Sequence, residues 1–486
     1  MRVLLVYSNS LGELLAAPPI GLAYVATAVR NAGHDVRFLD LLINSQGEQL
    51  LRNHIDEFKP DAVGISVRNI DNLVHQRLTS HLNVLTRQIA MIRQCSDAPI
   101  VLGGPAISIL GKAALEHLDA DFCIVGEGEY SFPRLLQCME QKADYRDIPG
   151  LCYRFDGNIY DNNPSTLSRF GASGLEQWID WQAYQRRGAT WPIQSKRGCP
   201  LSCSYCTYSA VEGCGIRKRD ARDVVDEIEH VSRTINPRCF EFVDSTFNLP
   251  PSHAQALCEE ILRRNLRVNL TAMGVNPLGI SRSLLALMKR AGFNSMMITP
   301  ESASDVVLEK MNKGFASDAV YRSAELARQS GIPSMWYFML GAPGETRATV
   351  NDTMTFVEQM LPHKGFLSMF TTGIRVLPGT ELAKSAVDEG YFEADEKFQQ
   401  PVFYFSPTVS EAWMLRRVCQ TIARQPNIVH AAEDSHPVSR RITGGVYRLA
   451  NSLGAAPPYW RFLPHVLRIP PLPKLRARAA SRQSAG

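Results

Sequence analysis

The chain has 486 residues, 45% of them hydrophobic, with a formal charge of +4. That length allows two to four domains, and so small a net charge gives no sign of a nucleic-acid or anionic-membrane partner. Eleven cysteines in so long a chain do not resemble a secreted disulfide framework; they fit a reducing, cytoplasmic setting with thiolates kept for metal. The apolar run at Met1–Tyr7 is too short for a signal peptide, and no run approaches the roughly 18 residues of a membrane-spanning helix.

Residues 1–140 alternate strand and helix patterns. Arg2–Tyr7, Val36–Leu41, Ala62–Ser66, Ile100–Leu102 and Phe122–Val125 read as buried strands. Pro19–Ala32 reads as a helix closed by Gly33. Short Val/Ile/Leu runs between helices predict a doubly wound parallel sheet, whose ligands bind beyond the C-terminal strand ends. Those ends carry Ser8-Asn9, Ser66, Arg68-Asn69, Gly103-Gly104 and Gly126-Glu127. Glycine and small polar residues there let the backbone approach a large planar or phosphate-bearing ligand.

Residues 141–190 read as a connector. A small hairpin is expected around Asp156-Gly157, and Trp178, Trp181 and Tyr184 are expected to pack under the following domain.

At residue 196 the chain runs Lys-Arg-Gly-Cys-Pro-Leu-Ser-Cys-Ser-Tyr-Cys. Cys199, Cys203 and Cys206 have C-x3-C-x2-C spacing in a loop that can turn three thiolates toward one point. A structural zinc site would want a fourth ligand close by, and the next cysteine is Cys214. Three thiolates on a cubane cluster leave one iron open. From here to residue 395 the pattern repeats strand then helix. Polar and glycine residues fall at the strand ends: Asp244-Ser245, Glu301-Ser302, Gly341-Ala342-Pro343-Gly344-Glu345-Thr346 and Pro378-Gly379-Thr380. Six strands are expected, in a barrel or partial barrel with its chemistry at the strand C-terminal ends. Lys310 and Lys313 read as a solvated helix end. Residues 396–467 read as a small helical region, with helices over Trp413–Ile422 and Tyr447–Leu453. Residues 468–486 read as a disordered basic tail.

On these motifs the chain resembles the radical S-adenosylmethionine superfamily, in the subgroup with a cobalamin-binding domain ahead of the barrel. The cysteine spacing, with aromatic Tyr205 before the last cysteine, is the superfamily's loop. The stretches Pro18–Leu22, Val101–Pro105 and Val125–Glu129 match the N-terminal domain. The resemblance implies a partial (β/α)6 barrel and a 4Fe–4S cluster on Cys199, Cys203 and Cys206. It implies S-adenosylmethionine at Tyr205, Asp244, Ser245, Glu301, Ser302, Gly341, Pro343 and Pro378. It implies cobalamin near Ser8, Asn9, Ser66, Arg68, Asn69, Gly103, Gly104, Gly126 and Glu127. One departure stands out: the D-x-H-x-x-G motif with its cobalt-ligating histidine is absent. His34 precedes the second strand and reads as a surface residue.

The implied chemistry is a 5′-deoxyadenosyl radical that takes hydrogen from an unactivated carbon of a small-molecule substrate. The electron would come from a donor such as flavodoxin or ferredoxin. Cobalamin-dependent methyl transfer in antibiotic or lipid biosynthesis is the first expectation. The alternative is cobalamin-independent dehydration of an aminoglycoside-like polyol, for which the missing histidine and the polar Arg68–Asn72 cluster speak. A sensor with no enzymatic role fits the intact strand-end motifs poorly.

Overall fold

The computed structural model describes residues 1–9, 16–44, 47–391, 401–431, 437–470 and 472. Two compact units emerge. The first comprises Met1–Asn72, Thr79–Arg187 and Thr207–Arg217; the second comprises Leu73–Leu78, Gly188–Cys206 and the chain from Lys218 onward.

The first unit is built on seven strands: β1 (Arg2–Tyr7), β2 (Asp35–Asp40), β3 (Ala62–Ser66), β4 (Ile100–Gly103), β5 (Phe122–Ile124), β6 (Leu151–Phe155) and β7 (Asn158–Asp161). Their order is β2-β1-β3-β4-β5-β6-β7. The first five are parallel, and β6 and β7 add antiparallel. Val3–Val6 are buried on both faces of the sheet, as expected of a parallel strand covered by helices on each side. The expected hairpin is therefore not a free connector but the edge of this sheet. Trp178 and Tyr184 of the connector pack within this unit. Trp178 stacks on Phe38 and its indole N–H donates to Thr27 at 3.0 Å. The Tyr184 hydroxyl donates to the buried Asp40 at 2.6 Å. His34 is buried, with Nδ1 3.4 Å from the chain's amino terminus. Burial holds its imidazole below the usual pKa, which corrects its reading as a surface residue.

The second unit carries seven parallel strands: β8 (Trp191–Ile193), β9 (Phe240–Phe242), β10 (Leu270–Val275), β11 (Phe293–Glu301), β12 (Ser334–Leu340), β13 (Phe366–Thr372) and β14 (Ile428–His430). They lie in the order β14-β13-β12-β11-β10-β9-β8. Helices connect successive strands, giving the expected partial barrel. The seventh strand comes from the region expected to be helical. Asn427 pins its start by donating to Leu361 O at 2.8 Å and Phe366 O at 2.9 Å. A three-residue strand carries too little periodicity to be read from sequence. The helices expected in this region are found over Glu411–Arg424 and Pro437–Ser452. The tail beyond Arg468 lies outside the described residues, except 469, 470 and 472.

Alternation along β12 separates the two faces of this sheet. Trp336 and Phe338 pack outward on Phe356 of the helix Arg347–Met360. Met335, Tyr337 and Met339 therefore point inward. Met297 of β11 pairs with Met335, which pairs with Leu367 of β13; Tyr337 pairs with Met369. Met297, Met335 and Leu367 pack on Trp460, Leu463 and Leu467, so the C-terminal segment forms the floor of the barrel. Among the described residues no helix is long and apolar enough to cross a membrane.

Candidate functional site

The cysteine loop follows β8 and is held by its backbone. Gly198 opens it at φ +89°, a left-handed conformation that costs glycine little. The Ser204 N–H donates to Met311 O at 2.9 Å, and the Leu382 N–H donates to Ser204 O at 2.8 Å. Asn312 Nδ2 donates to Ser202 O at 2.9 Å, and Ser245 Oγ donates to Gly198 O at 3.2 Å. Three segments, following β9, β11 and β13, thus grip one loop. The Pro378-Gly379-Thr380 motif acts through this grip: Thr380 caps the helix Glu381–Asp388, which presents the Leu382 N–H.

Cys199 is buried, Cys203 and Cys206 are half-buried, and none of the three is in a disulfide. Among the described residues no three His, Cys, Asp or Glu side chains stand close enough to share one metal ion. A cubane cluster makes a different demand, because each thiolate binds its own iron and the sulfurs stand further apart than around a single ion. Three thiols on a clamped loop, without a fourth protein ligand at tight spacing, fit that group better than zinc.

Beneath the loop is a buried ion pair. Lys196 Nζ and Asp244 Oδ2 are 3.3 Å apart with both side chains fully buried. Asp244 also accepts the backbone N–H groups of Ser195 at 2.7 Å and Lys196 at 3.1 Å, and the Ser195 hydroxyl at 2.6 Å. Lys196 donates further to Phe247 O at 2.9 Å. Both Asp244 oxygens are occupied by the strand that leads into the loop. Asp244 thereby clamps the loop's base. Gly274, at φ +59°, lets β10 pass close to it: a Cβ there would lie 2.6 Å from Ser245 O.

Glu301 ends β11 with φ +69°, an unfavourable conformation for a residue with a side chain. Such strain concentrates at functional sites. Its Oε1 accepts the Tyr205 hydroxyl at 3.2 Å and lies 3.6 Å from Lys313 Nζ, which itself donates to Tyr205 at 3.1 Å. Burial raises the Glu301 pKa against the opposing pull of Lys313 and Tyr205. Lys313 is therefore a buried partner of the cysteine loop, not a solvated helix end. No periodicity marks it, since its burial arises only when β11 and the loop meet. Ser302, by contrast, is taken up locally: its hydroxyl lies 3.1 Å from Thr353 Oγ1 and accepts the Ser304 N–H at 3.1 Å.

In the fifth motif the Gly341 N–H donates to Glu345 Oε2 at 3.1 Å and the Thr349 hydroxyl donates to Oε1 at 3.1 Å. Ala342 lies in an apolar cluster against which Tyr205 and Met339 pack. The motif therefore shapes the wall beside the loop, with Pro343 half-buried at its turn. Burial pushes the Glu345 carboxyl up to about 7, from 4.5. The folded state thus holds a proton that the unfolded chain has lost between those pH values. This contribution is full below about pH 4.5 and is lost as pH rises through about 7, amounting to about 3 kcal/mol. Glu345→Gln should flatten that fall and exceed the wild type in stability above about pH 7, measured as urea midpoints across pH. Parallel pH profiles for the two proteins would refute this role.

In the first unit, the strand ends expected to meet cobalamin divide into two groups. Asn9 is buried; its Nδ2 donates to Tyr7 Oη at 2.9 Å, while its Oδ1 has no hydrogen-bond partner among the described residues. Such an orphaned acceptor suits an amide-bearing ligand. A Cβ at Gly103 would meet nothing within 4 Å, and Gly104 turns at φ +93° with its Cα hydrogen aimed at Val67 O. Arg68 and Asn69, which follow Val67 in sequence, are half-buried. Ser8 and Ser66 are engaged within the sheet: Ser8 Oγ donates to Gln88, and the Ser8 N–H to Ser66 O at 3.1 Å. The Gly126 N–H donates to Ser108 Oγ at 2.9 Å. Glu127 accepts the Leu167 N–H at 2.7 Å and pairs with Arg217 at 2.6 Å, fastening a loop. The groups that remain, the Asn9 amide oxygen as acceptor and the open backbone at Gly103-Gly104, fit a corrin edge.

A model of the radical SAM superfamily matches residues 193–357, and one of the B12 binding domain matches residues 15–136. An uncharacterized methyltransferase of Pyrococcus horikoshii is 25% identical over 352 residues, spanning 71% of this chain and 73% of that protein. The tryptophan 2-C-methyltransferase of Streptomyces laurentii is 24% identical over 436 residues, spanning 76% and 72%. The anaerobic magnesium-protoporphyrin IX monomethyl ester cyclase of Rubrivivax gelatinosus is 26% identical over 394 residues, spanning 76% and 68%. Among solved structures, the radical S-adenosylmethionine methyltransferase TsrM of Kitasatospora setae, with cobalamin and a 4Fe–4S cluster bound, superposes with a TM-score of 0.81. It is 21% identical, with full coverage of both chains. The cobalamin-dependent S-adenosylmethionine radical enzyme OxsB gives 0.68 at 13% identity, covering 92% of this chain and 72% of that one. At these identities the solved structures establish the fold. The cofactors that go with the two domains are a 4Fe–4S cluster with S-adenosylmethionine and cobalamin. The chain thus carries a radical SAM superfamily domain, with its cysteine loop at residues 199–206, behind a B12 binding domain.

Proposed function

We propose that this protein is a radical S-adenosylmethionine enzyme that methylates an unactivated carbon of an apolar small molecule. The observation that carries the reading is the clamped three-thiol loop beside Glu301, Lys313 and Tyr205, in one chain with a B12 binding domain. When bound, the cluster supplies the electron that cleaves S-adenosylmethionine for hydrogen abstraction, and cobalamin supplies the methyl group. Cys199, Cys203 and Cys206 hold the cluster. Asp244 and Lys196 fix the loop's base, and the Glu301–Lys313–Tyr205 group fixes its far side. Glu301 and the Gly341–Pro343 turn face S-adenosylmethionine in this reading, and Asn9 with Gly103-Gly104 faces the corrin. Met297, Met335, Met339, Met369 and Tyr337 line the barrel interior. Flexible thioethers and one ring suit an apolar substrate body. The electron donor would be a flavodoxin or ferredoxin, and the setting cytoplasmic, in natural-product or lipid biosynthesis. The methyltransferases among the relatives support this outcome over dehydration of a polyol.

The test is an optical spectrum of protein reconstituted anaerobically and refolded with hydroxocobalamin. Corrinoid bands that stay with the protein through gel filtration are expected. A cluster-loaded protein that cleaves S-adenosylmethionine yet retains no corrinoid would replace methyl transfer with dehydration or another cobalamin-free outcome.

A further inference from the structure

We propose that the C-terminal segment docks this protein on an anionic phospholipid surface. The small net charge of the whole chain conceals a strong asymmetry. The last 50 residues, from Pro437, hold nine Lys and Arg and no Asp or Glu; removing those nine from the chain's 52 leaves 43 against all 48 acidic residues. Such an asymmetry points to a polyanionic partner.

The helix Pro437–Ser452 adds an apolar component. Ile442, Val446 and Leu449 recur at helical spacing, and Leu453, just past the helix with its N–H donating to Leu449 O at 3.0 Å, extends the stripe. Its first half is satisfied, because Ile442 and Val446 pack on the cluster around Trp460 and Leu463. Its second half runs beyond that cluster: Leu449 is 61% and Leu453 75% exposed, as is Ile469 at 55%. Arg441 and Arg448, each one residue before a stripe position, are exposed alongside it, as are Arg440 and Arg468. Lys474, Arg476, Arg478 and Arg482 follow in sequence, outside the described residues.

Exposed leucines flanked by arginines fit the boundary between headgroups and acyl chains. A single-stranded nucleic acid would instead call for exposed aromatic platforms. The segment's four aromatics are turned inward: Tyr459 and Trp460 are buried, and Tyr447 and Phe462 are half-buried. The inference is independent of the reaction assigned to the barrel.

The test uses full-length, cluster-loaded protein sedimented with phosphatidylcholine vesicles, with and without roughly one-third phosphatidylglycerol. Binding is expected only to the anionic vesicles, with release as salt is raised. The triple variant Arg440→Gln/Arg441→Gln/Arg448→Gln should bind on the order of a hundredfold more weakly. Leu449→Ser/Leu453→Ser should lose about tenfold, because buried leucine area is lost while the charge stays. Unchanged S-adenosylmethionine cleavage in both variants shows that they are folded. Absence of sedimentation with anionic vesicles overturns the proposal. So does a leucine variant that binds vesicles like the wild type, or wild-type protein that binds polyuridylate in preference to anionic vesicles.

Discussion

Replacing Cys199, Cys203 and Cys206 together by alanine will leave a folded protein that holds no 4Fe–4S cluster and forms no 5′-deoxyadenosine. Folding should survive because the grip on the loop comes from groups other than the thiols. Ser204 bonds Met311 and Leu382 through its backbone, and Asn312 reaches Ser202. The one buried thiol among the three, Cys199, leaves only a small void, worth about 1 kcal/mol. Loss of chemistry would therefore trace to loss of the metal ligands and not to collapse of the site. Iron and sulfide content with chromatographic detection of 5′-deoxyadenosine provides the check. Cleavage of S-adenosylmethionine at the wild-type rate in the triple variant would remove the basis for the whole reading.

The largest effect on stability should come from Asp244→Ala. Lys196 would then be left as a fully buried ammonium whose remaining hydrogen bond is to Phe247 O. Breaking a buried pair by removing one partner costs about 3–5 kcal/mol, far more than the pair's net worth. The N–H groups of Ser195 and Lys196 would lose their acceptor as well. The double variant Lys196→Met/Asp244→Leu removes both charges and should recover much of that loss. It should still load less cluster, because the turn into Gly198 no longer has its fixed acceptor. Anaerobic urea unfolding, set against iron content, separates the two consequences. A cost below about 1 kcal/mol for Asp244→Ala would show that the pair does not hold the loop's base.

Lys313 shows why part of the site escaped a reading along the chain. In sequence it follows a helix in a Lys-x-x-Lys-Gly run, the usual pattern of a solvated end. In the fold it is buried between Glu301 and Tyr205, residues respectively 12 and 108 positions away. Asp244 shows the same dependence at a strand end. A carboxylate at a strand end suggests a ligand contact, yet its oxygens are occupied by the neighbouring strand. Glu127 repeats that lesson through Arg217. Pairings across strands depend on register, and local spacing says nothing about register.

The sequence by itself determined the elements whose signal is local. These are the β/α alternation, the cysteine spacing and the glycine and small polar residues at strand ends. Each depends on residues a few positions apart and on backbone conformation, so each can be read along the chain. Tertiary structure decided the rest. It made β14 the seventh barrel strand and placed Trp460 on the barrel floor. It joined the hairpin to the first sheet and buried Lys313 against Glu301. In each case the deciding energy comes from burial between segments distant in sequence, where a three-residue strand or a single lysine has no periodicity to announce it.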